Sequence, residues 1–186
     1  MGVEYLLHIK KLNLDEIREI YNAYMHEAFP PSELRPFASM EMLYNKNCYP
    51  CYGFYDETGS LCAYAYFSCT ENGKYALLDY FAVLPQRRGM GAGSSALKLL
   101  LNRYADKRLL LEIESTKKEA SNSEQRLRRK AFYTANGMAA LDYCVDLFGV
   151  EMEILTYRCD VSFEEYHSIF ENVFSPRAAK NVKLIK

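Results

Sequence analysis

Apolar residues recur at helical spacing in the first part of the chain and predict a helix over residues 14–28. Asn13 and Glu16 have the spacing of a capping box at the start of this helix. Phe29 and the two prolines after it end the helix, and a second, shorter helix is expected around residues 39–45. The first 45 residues are therefore predicted to be mainly helical.

Three apolar segments separated by turn signals come next. They predict an antiparallel meander with strands over residues 48–55, 61–69 and 75–83. The third segment is apolar on both faces, which is typical of a central strand that is covered on both sides.

The pattern then changes to strand, glycine loop, helix and strand. A loop over residues 85–93, a helix over 94–105 and an apolar strand over 109–113 together predict a right-handed parallel crossover. A capping box from Ser121 to Glu124 predicts the start of another helix, which runs to Asn136.

The remaining segments are expected to complete the sheet and cover it. Strands are predicted over about residues 139–144 and 151–159, and a capping box at Ser162 begins a final amphipathic helix. The basic segment 177–186 is expected to be a solvated end.

Composition indicates one domain without a polyelectrolyte partner. The 186 residues are 49% hydrophobic, and no Gly/Ser/Pro-rich linker divides them. A net charge of −1 argues against nucleic acid as the main partner. The first ten residues lack a secretory leader, and no apolar run approaches the roughly 18 residues of a membrane span. We expect a soluble, cytoplasmic protein with no membrane partner.

Cysteine and histidine residues do not show metal-ligand spacing. The six cysteines lie mostly among apolar neighbours, as expected of reduced thiols. Cys48 and Cys51 have a suggestive spacing, but a zinc site needs two more ligands nearby, and the three histidines are scattered. No metal is expected.

A glycine-rich loop between a buried strand and a helix is the main candidate for chemistry. It consists of Gln86, Arg87, Arg88, Gly89, Met90, Gly91, Ala92, Gly93 and Ser94. Backbone N–H groups and the positive end of a helix gather anions at such a position, and glycines let the backbone approach a pyrophosphate. The two arginines can add positive charge at the rim. The loop therefore indicates a phosphate site, and the alternative is a turn that binds nothing.

Three classes of phosphate ligand are considered. A nucleoside-triphosphate loop needs a lysine at the helix start, where this chain has Gly93 and Ser94. A dinucleotide fingerprint fits residues 91–96, with Glu112 or Glu114 near the distance expected for ribose binding. The antiparallel meander before the loop argues against a dinucleotide fold, which repeats strand–helix–strand units.

The motif Val83-Leu84-Pro85-Gln86-Arg87-Arg88-Gly89-Met90-Gly91 resembles the acyl-CoA signature of the GNAT N-acetyltransferase superfamily. That signature is Gln/Arg, two residues, Gly, one residue, Gly/Ala, and it is matched by Gln86, Gly89 and Gly91. A second segment, residues 131–138, is similar to the superfamily's later helix, in which Phe-Tyr is followed by three residues and Gly. The order of predicted elements over about residues 4–158 agrees with this resemblance.

The resemblance implies a GNAT-like mixed α/β fold. In this fold a mostly antiparallel, twisted sheet carries helices on both faces and has one parallel β-α-β crossover around the glycine loop. The acyl-CoA-binding domain would cover residues 1–160, with residues 161–186 appended to it as a helix and a basic tail.

The resemblance also implies roles for individual residues. The backbone of Phe81 and Val83 would pair with the pantetheine arm, while the loop 86–94 holds the pyrophosphate of acetyl-CoA as cosubstrate. Tyr133 would be the general acid that protonates the leaving thiolate. Phe29 and Glu33 lie where the superfamily shapes its acceptor pocket.

The general base is not singled out by the sequence. Asp79 interrupts an apolar strand, where burial would raise the pKa of its carboxyl, and some relatives carry a glutamate at the corresponding place. Glu112 and Glu114 share one face of the next strand and compete for the role. The basic run 126–130 either meets the CoA phosphates or is a solvated face.

The expected function is transfer of an acetyl group from acetyl-CoA to an amine of a small molecule or peptide. The alternative is a CoA-binding sensor or interaction module without turnover, and a dinucleotide-binding protein is the less favoured reading. An exposed strand or the last helix could form the seam of a homodimer.

Overall fold

The computed structural model describes residues 5–185. The expectations for the chain start therefore lie partly outside the described residues, since Met1 to Glu4 are not among them. The strands are β1 (His8–Lys11), β2 (Cys51–Tyr55), β3 (Leu61–Cys69), β4 (Tyr75–Val83), β5 (Arg108–Glu114), β6 (Ala139–Leu147), β7 (Val150–Thr156) and β8 (Val182–Ile185). The helices are α1 (Leu14–Ile20), α2 (His26–Ala28), α3 (Phe37–Asn45), α4 (Ala92–Arg103), α5 (Ser123–Ala135), α6 (Phe163–Ile169) and α7 (Pro176–Ala179).

The strands form one mixed sheet of eight strands in the order β1-β2-β3-β4-β5-β7-β6-β8. Most neighbouring strands are antiparallel, for example β5 with β7 and β6 with β8. β4 and β5 run parallel, with Leu77 opposite Leu110. A parallel pair needs a long crossover, and here the glycine loop and α4 provide it. The predicted mixed fold with one parallel crossover is confirmed.

The first helical segment covers the predicted residues 14–28. The Asn13 side chain accepts a hydrogen bond from the Glu16 N–H (2.9 Å), and the Glu16 carboxylate accepts one from the Asn13 N–H (2.9 Å), so the predicted capping box is present. A π-helical stretch, Tyr21–Met25, joins α1 to α2. Such stretches are rare and shift the side chains that follow them around the helix.

Two compact units make up the chain. The first contains the described residues up to Ser68 together with residues 79–100. Its core includes side chains that are 1% exposed or less, among them Leu12, Ile17, Met25, Phe54, Tyr64, Tyr66, Phe67 and Leu97. The glycine loop, the end of β4 and the first helical segment all belong to this unit.

The second unit contains residues 69–78 and the described residues from Leu101 onward. Its core is formed by Leu77, Leu109, Leu110, Ile113, Val145, Ile154, Leu155, Tyr166 and Ile169, each 1% exposed or less. The predicted capping box at the start of α6 is present, with Ser162 and Glu165 bonded reciprocally. Glu165 also accepts hydrogen bonds from Lys74 (3.0 Å) and Arg108 (2.6 Å), which fixes α6 on this unit.

Two predictions about local structure were wrong, and one strand was not predicted. The helix predicted from Ser121 begins at Ser123, and no side chain caps it, because the residue at the cap position, Asn122, bonds the side chains of Glu114 and Arg126 instead. The described part of the segment predicted as a solvated end, residues 177–185, is ordered in the fold, since Ser175 caps α7 and β8 pairs with β6. The strand β1 was not predicted, because four residues at a sheet edge, three of them cationic or titratable, carry no periodic apolar signal.

None of the helices formed by residues 5–185 has both the length and the apolar character required to span a bilayer. The predicted division into residues 1–160 and 161–186 remains a prediction.

Candidate active site

The glycine loop is a left-handed turn that leads into α4. A single 3-10 turn, Pro85–Arg87, follows β4, and Gly89 (φ +74°) and Gly91 (φ +89°) then take backbone conformations that L side chains rarely adopt. The predicted loop residues Ala92, Gly93 and Ser94 lie in the first turn of α4, whose free N–H groups and positive dipole end favour an anion.

The two loop arginines already have partners within the first unit. The Arg87 guanidinium lies 2.7 Å from the Asp56 carboxylate and donates a hydrogen bond to the Tyr5 hydroxyl (3.1 Å). The Arg88 Nε donates to the backbone oxygen of Val83 (3.0 Å). Arg88 therefore lies along the end of β4, at the backbone that the resemblance assigns to the pantetheine arm.

A shallow cleft, partly open to solvent and with a cavity volume of about 10 Å³, lies beside the end of β4. The end of the first helical segment supplies Tyr24 and Glu27, β3 supplies Tyr64, and the chain after β4 supplies Leu84 and Arg88. Tyr24 and Glu27 are exposed, whereas Tyr64 is completely buried. The sequence reasoning did not single out Tyr64 or Glu27, because a tyrosine in an apolar strand and a glutamate on a helix are both ordinary in a pattern.

Asp79 lies at the centre of a polar cluster inside the first unit. Its carboxylate accepts hydrogen bonds from Arg35 Nη2 (3.2 Å), from the Tyr49 hydroxyl (2.9 Å) and from the Ser68 hydroxyl (3.4 Å). Its side chain is 11% exposed. Burial and the Asp79 charge raise the pKa of Tyr49 well above its usual value. Burial acts to lower the pKa of Arg35, but the Asp79 carboxylate together with Tyr49 and Tyr80 outweighs it, and the net shift is upward.

Tyr80, the residue after Asp79 in β4, fixes the loop after the first helical segment to this strand. The Tyr80 hydroxyl donates to the backbone oxygen of Glu33 (2.8 Å) and accepts from the backbone N–H of Arg35 (2.8 Å). The Phe29 ring meets the Tyr80 ring edge-on, with centroids 4.9 Å apart. Phe29, Glu33 and Asp79 thus lie in one connected region, and Glu33 takes part in it through its backbone.

Glu112 and Glu114, in the second unit, are both engaged. The Tyr166 hydroxyl donates a hydrogen bond to Glu112. Glu114 lies 2.6 Å from Arg126 and 3.6 Å from Arg129, and its side chain is 13% exposed.

The basic run at the start of α5 is therefore occupied by carboxylates. Besides the two arginines bonded to Glu114, Arg128 pairs with Glu124 and Lys130 with Glu153. These pairs satisfy the positive charges within the second unit, which favours a structural role for the run over a phosphate-binding one.

Tyr133 lies on α5 and is 8% exposed. Burial raises the pKa of Tyr133 to about 12, although the Arg129 charge acts in the opposite direction. The phenol is therefore protonated at neutral pH, as a general acid must be.

Across residues 5–185, no three or more histidine, cysteine, aspartate or glutamate side chains come together in a way that could hold a metal ion.

The mixed sheet, the parallel β4–β5 pair and the left-handed glycine turn before α4 define an acetyltransferase fold. The chain belongs to the GNAT acetyltransferase family, whose model matches residues 14–136. The match includes the glycine loop and all of α5, and it covers residues 131–136 of the second segment that carried the resemblance.

Solved structures support the same fold. A putative acetyltransferase from GNAT family from Bacteroides thetaiotaomicron is 16% identical, with a TM-score of 0.72 over 90% of this chain and 98% of that chain. Spermidine N-acetyltransferase from Vibrio cholerae in complex with CoA and spermine is 14% identical, with a TM-score of 0.61 over 81% and 94%. A chimera of Vibrio cholerae SpeG and hSSAT is 17% identical, with a TM-score of 0.60 over 81% and 94%. No curated protein sequence matches the chain significantly.

Proposed function

We propose that this protein transfers an acetyl group from acetyl-CoA to the amine of a small molecule, and that the loop from Gln86 to Ser94 binds the pyrophosphate of the cosubstrate. The left-handed turn through Gly89 and Gly91 at the start of α4, in a chain of the GNAT family, carries the proposal. A side chain at Gly89 would meet nothing within 4 Å, so the turn leaves open space beside its backbone.

The loop fits a pyrophosphate for physical reasons. Backbone N–H groups in the turn and in the first turn of α4 are donors for phosphate oxygens, and the helix dipole favours negative charge there. Acetyl-CoA supplies the activated acyl group as a thioester. The protein holds it by the loop and by the backbone of Phe81 and Val83, and Arg88 must release the Val83 oxygen if the pantetheine arm uses that acceptor.

Tyr133 is proposed as the general acid. Its phenol is protonated at neutral pH, but a pKa of about 12 also makes it a weak acid. A thiol has a pKa of about 8.5, so full proton transfer to a free thiolate would be unfavourable by about 3 to 4 pKa units, or roughly 5 kcal/mol. The proposed role is therefore a hydrogen bond from the phenol to the sulfur as the C–S bond breaks, which stabilises the leaving thiolate, while Tyr133 keeps its proton.

The base remains a carboxylate or a water molecule. Asp79 and Glu114 are held by arginines, and Glu112 is held by Tyr166. The pH dependence of turnover in Asp79→Asn, Glu112→Gln and Glu114→Gln tests the three. The variant that loses the acidic limb identifies the base, and an unchanged limb in all three assigns the role to water.

Polyamines are the first acceptors to test. Neighbouring structures are those of spermidine N-acetyltransferases, and one contains CoA and spermine. The shallow cleft beside β4 carries two exposed charged side chains, Glu27 and Arg88, and the Glu27 carboxylate would attract a cationic amine. Phe29 and Glu33, the predicted acceptor residues, follow Glu27 in the chain.

Ligand binding and turnover are tested separately. Acetyl-CoA at about a hundred times its dissociation constant should add about 2.7 kcal/mol to the unfolding free energy. Release of free thiol from acetyl-CoA in the presence of spermidine, butylamine or a dipeptide then measures transfer. Stabilisation by NADH instead of acetyl-CoA would contradict the proposal, whereas stabilisation by acetyl-CoA without transfer to any amine would favour a CoA-binding module.

Tyr133→Phe tests the acid. We expect the variant to bind acetyl-CoA nearly as well as the wild type and to turn over more slowly, because it lacks only the hydroxyl. Equal turnover in the two proteins would remove Tyr133 from the mechanism.

A further inference from the structure

Arg87, the first arginine of the glycine loop, is held by a carboxylate from the turn between β2 and β3. Its Nη2 lies 2.7 Å from Asp56 Oδ2, and the two side chains are 30% and 14% exposed. The other terminal nitrogen of the guanidinium, Nη1, donates to the Tyr5 hydroxyl (3.1 Å). All three residues belong to the first unit. An internal anion is therefore bonded to a residue of the proposed pyrophosphate loop.

The Asp56 carboxylate is fixed in its turn independently of Arg87. Its Oδ1 accepts hydrogen bonds from the Thr58 N–H (3.0 Å), the Thr58 hydroxyl (2.6 Å) and the Ser60 N–H (3.0 Å), while Oδ2 faces the guanidinium. The Thr58 hydroxyl and the Ser60 N–H are the main causes that lower the pKa of the Asp56 carboxyl, and the Arg87 charge adds to them. The carboxylate is therefore ionised at neutral pH and keeps its place when Arg87 moves.

Arg88, the next residue, is in a different electrostatic situation. It is exposed, and its Nε donates to the backbone oxygen of Val83 (3.0 Å), which is a neutral acceptor. That bond does not offset its positive charge. Arg88 thus adds net positive charge at the rim of the loop, whereas Arg87 and Asp56 together form a pair without net charge.

The Asp56 carboxylate opposes the binding of an anion at the loop in two ways. It occupies guanidinium N–H groups of Arg87 that could bond phosphate oxygens instead, since carboxylates and phosphates compete for the same donors. Its negative charge also repels a pyrophosphate, over a screening length of about 8 Å at physiological ionic strength. Both effects have the same sign, so loss of this charge makes the loop a better site for an anion.

We infer that Asp56 is an affinity-determining residue of the cosubstrate site, because it holds Arg87 in an internal ion pair that competes with the phosphates of CoA for the same guanidinium. The inference rests on the proposed function, since it assumes that the loop from Gln86 to Ser94 binds acetyl-CoA. It deepens that proposal by naming the residue that limits the affinity for the cosubstrate and for the CoA product, which carries the same phosphates.

Asp56→Asn tests the inference, because asparagine keeps an oxygen for the donors of Thr58 and Ser60 and removes the charge. Its dissociation constants for acetyl-CoA and for CoA should both be about fivefold lower than those of the wild type, as expected for one unit charge near a pyrophosphate at a protein surface. The gain should shrink at about 1 M salt, where the charge is screened. The matched control Glu57→Gln makes the same change of charge at the exposed neighbouring residue, outside the pair, and should alter either constant by less than about twofold.

Arg87→Gln and the double variant provide a second, independent test. Arg87→Gln leaves the Asp56 carboxylate without its counter-charge beside the loop and should raise the dissociation constant for acetyl-CoA about fivefold. The double variant, Asp56→Asn with Arg87→Gln, loses both charges of a neutral pair and should return to within about twofold of the wild type. If Asp56 instead oriented Arg87 for a direct bond to phosphate, Asp56→Asn would weaken binding and the double variant would remain as weak as Arg87→Gln. That result would overturn the inference.

The measurement is titration calorimetry of the full chain with acetyl-CoA, CoA and S-acetylpantetheine, which lacks the phosphates. S-acetylpantetheine should bind the wild type and Asp56→Asn equally well. If acetyl-CoA fails to bind the wild type, the proposed function is wrong and the inference fails with it. If acetyl-CoA binds the wild type, but Asp56→Asn gains no affinity or gains as much for S-acetylpantetheine, the inference is overturned and the proposed function stands.

Discussion

Gly89→Ala is the sharpest test of the glycine loop. Gly89 has φ of +74° and open space around the position of a Cβ atom, so alanine would meet no neighbour and would be strained only by the backbone. That strain is about 1–2 kcal/mol for an L-residue in the left-handed region. For a chain of this length it corresponds to a melting temperature lower by about 2–8 °C.

The effect on acetyl-CoA should be larger than the effect on folding. The new methyl group would occupy the space beside the turn, and the turn would relax away from its left-handed form, so that N–H groups no longer converge on the pyrophosphate. Hydrogen bonds to a charged group are worth about 1.5–3 kcal/mol each, so the loss of one weakens binding by roughly ten- to a hundredfold. Ligand at a hundred times the wild-type dissociation constant would then stabilise the variant by about 1.4 to 0.4 kcal/mol, where the wild type gains about 2.7 kcal/mol.

Gly149→Ala is the matched control. Gly149 also has a left-handed backbone (φ +88°) and nothing within 4 Å of a Cβ atom, but it lies in the turn between β6 and β7. Both variants should lose similar stability without ligand, while Gly149→Ala keeps the full stabilisation by acetyl-CoA. The measurement is thermal unfolding of the three proteins with and without acetyl-CoA. Equal stabilisation of Gly89→Ala and Gly149→Ala would refute the assignment of the pyrophosphate to this loop.

Three further predictions concern the charged groups. Asp79→Asn leaves Arg35 without its counter-charge and should lower the free energy of unfolding in urea by about 2–3 kcal/mol. The control Glu41→Gln breaks an exposed pair with an arginine and should change the same free energy by less than about 0.5 kcal/mol. Equal effects of the two substitutions would argue against a structural role for Asp79. Glu153→Gln should cost about 2 kcal/mol or more, because Glu153 is 3% exposed and holds Lys130, and a loss below about 0.5 kcal/mol would contradict the inferred buried pair. Three hydrogen-bonded partners lower the pKa of Glu165 to about 2. The contribution of the Glu165 carboxylate to the unfolding free energy is therefore present above the ordinary pKa of 4.5 and disappears as the pH falls towards 2. Wild type and Glu165→Gln should differ in unfolding free energy by about 1 kcal/mol at pH 7, after solvent screening, and by less at pH 3. A difference that stays constant between the two pH values would contradict the lowered pKa of Glu165.

Strong local signals in the sequence were sufficient for the central elements. The strands Leu61–Cys69 and Tyr75–Val83 have the predicted bounds, and the helical segment 14–28 begins at the predicted capping box. These elements combine apolar periodicity with turn or capping residues at both ends, so propensity and pattern agree. The short strands β1 and β8 lie at the two edges of the sheet, and pairing with a neighbouring strand, which no local pattern encodes, decides them.

The residues of the candidate site also differ in how far local sequence signals predict them. The glycine loop was predicted because its chemistry lies in consecutive residues, where the need for positive φ restricts the residue type to glycine. Asp79 was recognised as unusual from its apolar strand, but its partner Arg35 lies 44 residues away in the sequence and could not be inferred. Tyr64 gave no signal, since a tyrosine with a bonded hydroxyl and one without look identical in a sequence.

The sequence by itself therefore determined the family, the glycine loop and the order of the central strands and helices, because each depends on neighbouring residues and on backbone conformations that few residue types adopt. Tertiary structure alone decided which carboxylates are paired and where the edge strands β1 and β8 join the sheet, and among residues 5–185 it left the buried Tyr64 hydroxyl without a hydrogen-bond partner. Those properties depend on distances between residues far apart in the chain, and only the packed fold sets such distances.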